Sequence, residues 1–285
     1  MGDSVLIVAF DGMDRELIQE YGLEHVPQQE FGQIDNHTGI KNIKTGELFA
    51  SFITGETWTE HGITMVKGWN HPAMDWFERR IPTKDPFYSW AAKVKDMVKC
   101  ATGLDRSPYT KDDLPMDTIF EKVPNSRAVN VPSYSVNTGI EVWTWVMDRY
   151  GTEHAAREAE KEFAMRQEEF MDALDDGHDL LMAQFHYTDF MNHMFGAPVR
   201  DDERLEAAYH RIDDFAADII DAAEGDYDVI LFMSDHGLPT ENQHNRQAFY
   251  SLNREEGLDT PHITDFHDLV LDWTGAEEAV GGLDV

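Results

Sequence analysis

Residues 226–240 read DYDVILFMSDHGLPT. The centre, VILFM, is a short continuous apolar run, the pattern of a strand buried on both faces of a parallel sheet. It empties into Asp235, His236 and Gly237, so a rigid buried element delivers an acid and an imidazole side by side. VLIVAFDGMD, residues 5–14, repeats the device, with SVLIVAF (4–10) as strand and Asp11 at its tip.

Outward from these two runs, the chain alternates. DRELIQEYGL (14–23), GELFASFITG (46–55, ending at Gly55), residues 152–176 and DERLEAAYHRIDDFAADIIDAA (202–223) carry helical spacing. RAVNVPSYS (127–135), DLLMAQFHYTD (179–189) and DVILFMS (228–234) read as further strands, the first closing in a turn. Buried strands alternating with amphipathic helices predict an α/β fold with a mostly parallel central sheet and helices on both faces. Residues 68–120 break the rhythm: WNHPAMDWFERRIPTKDPFYSW (69–90) is rich in aromatics and proline and has no clean period. We expect one domain over 1–285, with 68–120 inserted in it as an aromatic-rich cap. The acidic tail GAEEAVGGLDV is expected to fray.

The composition narrows the functional classes. Fifty-five acidic residues against 23 basic ones leave a formal charge of −32 on 285 residues. That field repels nucleic-acid backbones and anionic membrane surfaces, so no stable nucleic-acid complex is expected. The acids are dispersed through the chain, as in proteins of salt-accumulating cells where salt screens self-repulsion; a halophilic archaeal source is expected. The single cysteine, Cys100, excludes an intrachain disulfide and a thiolate zinc cluster. No run approaches the roughly 18 apolar residues of a membrane span, and the N-terminus enters a strand with no basic region or cleavable signal. A cytoplasmic location is expected; the oligomeric state is not legible.

In parallel sheets, sites form beyond the carboxyl ends of the strands. Four strand ends carry polar groups: Asp11, Asn130, Asp189 and the Asp235–His236 pair. His193 follows Asp189 by four residues, so on a helix the two share a face. His244 lies eight residues beyond His236, and His262 competes with it. Three acids and three histidines suffice to ligate two divalent ions. Imidazole with carboxylate suits zinc, with manganese or iron as alternatives.

The ordered pieces VAFDGMD, SFITGETWTEHGI, VNVPSYS, FHYTDFMNH, SDHG and HNRQAFYS, spread over residues 8–251, resemble the alkaline phosphatase superfamily and, within it, the type I phosphodiesterase / nucleotide pyrophosphatase branch. The resemblance implies a metal-dependent hydrolase of phosphate esters. It implies one ion on Asp11, Asp235, His236 and the nucleophile's oxygen, and a second on Asp189, His193 and His244. The nucleophile stands ten residues before the Gly of the TG pair, which selects Thr45. The usual proline-containing pattern after it is replaced by Gly46–Glu47, and Glu47 would oppose an anionic substrate unless it points away. Asn130, Lys67 and Trp69 are candidate substrate contacts, and His61 is read as structural. A small phosphorylated substrate is expected, a nucleotide among the candidates. Phosphomonoesterase or phosphonate hydrolase activity is the alternative within the superfamily, and an inactive metal- or anion-binding protein the alternative outside enzymes. Cys100 lacks the context of a sulfatase nucleophile, and the chain has little room for the inserted domain of the phosphoglycerate mutase relatives.

Overall fold

The structure is a computed structural model that describes residues 2–69, 106–136, 146–196, 202–240 and 244–276. Its main sheet has six strands in the order β2-β8-β7-β1-β6-β5. These are β1 (Val5–Phe10), β2 (Glu30–Gln33), β5 (Ser126–Val129), β6 (Leu180–Phe185), β7 (Val229–Met233) and β8 (Phe249–Leu252). β7, β1, β6 and β5 run parallel; only β8 is reversed, pairing antiparallel with β7 and β2. The expected mostly parallel sheet is what forms.

All six residues of β1 are buried because both faces of the strand are covered. Leu6, Val8 and Phe10 point to one core, with α1 (Arg15–Glu20), α5 (Thr152–Leu174) and α7 (Glu203–Ala223) above them; Val5, Ile7 and Ala9 point to the other, under α2 (Thr45–Thr54) and α8 (Asp265–Thr274). Side chains of a strand alternate between faces, so one unbroken apolar run feeds two cores. In the first core Phe163 of α5 stacks on Tyr187 at 4.7 Å and meets Phe185 and Phe215 edge-on. Each such fully buried ring adds about 1.5–3 kcal/mol.

The register sets the site. Ala9 of β1 lies opposite Gln184 and Met233, and Val129 opposite Ala183. The residues that follow, Asp11, His186, Asp235 and Asn130, therefore emerge together along one edge of the sheet.

Three expected boundaries shift. The strand read over 179–189 ends at Phe185; Tyr187–Met191 is a short helix, α6, continued by a π-helical turn over Asn192–Gly196. The chain bends there because Thr188 donates its hydroxyl to the Asp11 carbonyl at 2.7 Å, tying the turn to the tip of β1. The strand read over 127–135 stops at Val129, since Asn130 and Ser133 both take positive φ. Of the expected cap, the described parts are an antiparallel pair, β3 (Lys67–Trp69) with β4 (Arg106–Pro108), and α4 (Ile119–Lys122), which follows α3 (Trp58–His61) among the short helices. Tyr109, Leu114, Ile119 and Phe120 pack into the second core, so this half belongs to the main body. Trp76, Phe77, Phe87, Tyr88, Trp90, Cys100 and residues 277–285 lie outside the described residues.

Candidate active site

Thr45 is the first residue of α2, and the residue before it, Lys44, makes no side-chain cap, so side chains leave the first amides of the helix uncapped. Thr45 Oγ1 lies 3.4 Å from Asp11 Oδ1 and 3.2 Å from His236 Nε2. Gly46 lets this end of the helix sit close to the strand lead-in: a Cβ there would fall 2.3 Å from the Met65 carbonyl oxygen. Glu47 is fully buried and turns back, accepting the amides of Lys41 at 2.5 Å and Asn42 at 3.0 Å. Its charge therefore faces the 41–42 backbone and not the Thr45 hydroxyl.

Two ligand-type clusters lie side by side, the first of them at Thr45. In the first, His236 Nε2 lies 3.4 Å from both Asp11 Oδ1 and Asp235 Oδ2. In the second, Asp189 Oδ1 lies 3.5 Å from His193 Nε2 and 3.7 Å from His244 Nε2, and the two imidazole nitrogens are 3.2 Å apart. The rings of His236 and His244 stack at 3.8 Å, joining the clusters. Gly12, at φ 69, brings the tip of β1 against Asp189; a Cβ there would lie 2.8 Å from the Asp189 side chain.

The donor set fits divalent cations. His236 Nδ1 donates to the Gly237 carbonyl at 3.0 Å and His244 Nδ1 to the Ile43 carbonyl at 3.2 Å, leaving each Nε2 with its lone pair toward the cluster. Among the described residues, the buried Asp189 Oδ1 and Asp235 Oδ2 accept no hydrogen bond. Buried acceptors cost free energy unless something positive or a donor meets them. Burial pushes the Asp11 carboxyl well above its ordinary pKa, with Asp235 and Asp189 adding repulsion. Asp235 is raised to about 6, again chiefly by burial. Burial opposes the ionisation of Asp189, but His193, His244 and the other imidazoles around it outweigh that and hold its pKa low. Burial lowers His236 to about 4 and His244 to about 3, so both are neutral near pH 7, the form that ligates a metal.

The structure thus brings together Thr45, Asp11, Asp235, His236, Asp189, His193 and His244. It does not bring His262 to them: that ring spans Thr264 Oγ1 and the Thr38 carbonyl, each at 2.7 Å. Asn130 directs its amide nitrogen to Gln184. Lys67 lies on β3, opposite Pro108, and the Trp69 side chain lies outside the described part of the molecule. His61 accepts the Ile63 amide at 3.0 Å and meets Ser51 at 3.1 Å, closing the turn after α2.

Two residues escaped the sequence reading. Gln184 Nε2 donates to Asp11 Oδ2 at 2.7 Å, and His186 Nδ1 lies 2.8 Å from the same oxygen and 2.7 Å from Gln184 Nε2. A lone amide in the otherwise apolar LLMAQF strand was the available signal.

Comparison with known proteins yields a family match and several matches of fold. The family model for type I phosphodiesterase / nucleotide pyrophosphatase matches residues 5–281. The alkaline phosphatase of the Antarctic bacterium TAB5 aligns over 98% of this chain and 100% of its own, at 10% identity and a TM-score of 0.55. Wild-type alkaline phosphatase PafA aligns over 83% of this chain and 63% of its own, at 11% identity and 0.54. Murine ectonucleotide pyrophosphatase / phosphodiesterase 5, an inactive form in complex with AMP, aligns over 82% of this chain and 57% of its own, at 14% identity and 0.51. At such identities the likeness is one of fold, and this chain spans under two thirds of the length of the last two. No curated protein matches in sequence.

Proposed function

Since the chain belongs to the type I phosphodiesterase / nucleotide pyrophosphatase family, we propose that it is a metal-dependent phosphoric ester hydrolase in which Thr45 is the nucleophile. The observation that carries this reading is the convergence of carboxylate oxygens and imidazole nitrogens from the ends of β1 and β7, from the turn after β6 and from the loop before β8, with the Thr45 hydroxyl against Asp11 and His236. Two divalent cations, zinc or else manganese or iron, would be held by Asp11, Asp235, His236 and Thr45 and by Asp189, His193 and His244; bound there, they lower the pKa of the hydroxyl and neutralise phosphoryl charge.

Thr45 gives up its proton, which ends on the leaving oxygen, and Oγ1 attacks phosphorus. The Oγ–P bond forms as the bond to the leaving group breaks, and the electron pair departs with the leaving oxygen. Water then attacks phosphorus, the Oγ–P bond breaks, and a proton from that water returns to Thr45 Oγ1. The uncapped amides at the start of α2 favour the anionic phosphoryl group, and the inward turn of Glu47 removes the repulsion its position threatens.

A nucleotide phosphodiester is the substrate class we favour, supported by the AMP in the murine relative. Phosphomonoesters, phosphonates and a non-catalytic binding role remain the competing readings. The dispersed charge of −32 supports a cytoplasmic enzyme of a salt-accumulating cell. Replacing Thr45 with Ala should lower turnover by at least about 10³-fold, as for loss of a covalent nucleophile, while metal content stays that of the wild type. Wild-type turnover in T45A would exclude Thr45 as nucleophile.

A further inference from the structure

Asp11 has two carboxylate oxygens with different surroundings. Oδ1 faces Thr45 and His236, each at 3.4 Å. Oδ2 faces away, accepts from Gln184 Nε2 at 2.7 Å and lies 2.8 Å from His186 Nδ1, and these two nitrogens are themselves 2.7 Å apart. Gln184 and His186 are each 1% exposed, so water does not compete for these contacts. The orientation of Gln184 is itself determined. Asn130 Nδ2 donates to Gln184 Oε1 at 3.0 Å and to the Gln184 carbonyl at 3.2 Å, which identifies the outer atom of the Gln184 amide as the oxygen and leaves its nitrogen for Asp11. Asn130 reaches this position at φ 56, a conformation asparagine tolerates better than most residues. His186 is stacked on Phe190 at 5.5 Å, which fixes the plane of its ring.

A carboxylate flanked by cations can rotate and offer either oxygen, or both. The Gln184 N–H bonded to Oδ2 and the His186 ring packed against both remove that freedom and leave Oδ1 facing the cluster. We propose that Asn130, Gln184 and His186 are positioning residues that hold Asp11 to one-oxygen ligation of the ion it would share with Asp235 and His236. The inference rests on the two-ion reading above. It assigns these residues to the ion on Asp11, because Asp11 is the carboxylate that Gln184 bonds. Outer hydrogen bonds to a metal ligand typically change affinity by about 10–100-fold.

The test is a competitive chelator titration of the full chain with Zn²⁺, and with Co²⁺ followed by visible absorption, for wild type, H186L, H186N and Q184M. In H186L and Q184M one ion should bind about 10–100-fold more weakly, with a changed cobalt spectrum, while the other keeps its affinity. H186N, whose amide can donate or accept as an imidazole does, should restore binding and spectrum. A merely structural role would instead lower thermal stability without separating the two ions. If H186L does not fold, Q184M and N130A make the same comparison, and Asn130 touches no proposed ligand. Two ions in wild type, with both affinities and the cobalt spectrum unchanged in the variants, would overturn the positioning role alone. A wild-type chain that takes up neither cation would overturn the two-ion reading and this inference with it.

Discussion

Glu47 stands two residues beyond the proposed nucleophile, yet its carboxylate is committed to the amides of Lys41 and Asn42. Burial raises its pKa from 4.5 to about 7, against the pull of those two donors. A carboxyl whose folded pKa exceeds its unfolded value favours the fold while protonated. Its contribution is complete below pH 4.5 and is lost as pH rises through about 7. The stability of the metal-loaded wild type should therefore fall relative to E47Q between those limits. Thermal midpoints of the two proteins across pH 5–8 check this; parallel curves would mean that Glu47 does not titrate there. The convergence of candidate residues was partly legible in the sequence. The ligand-type residues stand beside apolar runs or at helical spacing, and Thr45 is selected by the family resemblance, which implies a nucleophile ten residues before Gly55. The direction of Glu47 was not legible, because it depends on a loop folding back over the start of α2. Gln184 and His186 were hidden for a similar reason: their partner, Asp11, is more than 170 residues away along the chain.

At the scale of elements, the site depends on how the loop after β7 is fastened. Asp14 caps α1 by accepting the Glu16 and Leu17 amides on Oδ1, and its Oδ2 accepts from the Leu238 amide at 3.2 Å and from Asn245 Nδ2 at 2.6 Å. One buried carboxylate thus ties the helix after β1 to the loop that carries His244. Loss of a cap together with buried hydrogen bonds predicts that D14A costs about 2–4 kcal/mol. The midpoint of urea unfolding, at unchanged m-value, measures it; a cost under about 0.5 kcal/mol would contradict this role. Among the elements missed in sequence were β2, β8 and α8. The four residues of β2 are all half-buried at a sheet edge, too short for any period to stand out. α8 is signalled only by its amphipathic spacing, since its N-cap Thr264 makes no side-chain capping bond. The continuous apolar strands β1, β6 and β7 were legible because burial on both faces leaves no polar alternation to confuse them.

Across the whole molecule, −32 formal charges surround a site that itself gathers three carboxylates. Self-repulsion at that density weakens with ionic strength, since the Debye length shrinks from about 30 Å at 0.01 M to about 3 Å at 1 M. The thermal midpoint should rise by several degrees or more between low salt and 2 M KCl. A midpoint independent of salt would contradict a fold adapted to high salt. Among the described residues no helix is long and apolar enough to cross a membrane. The most direct test of the central claim is metal content by mass spectrometry on protein purified in high salt, with turnover of bis-p-nitrophenyl phosphate measured on the same sample. The account predicts close to two divalent ions per chain and cleavage of the diester faster than of p-nitrophenyl phosphate. Protein that stays metal-free and inactive after zinc and manganese are added back would contradict it.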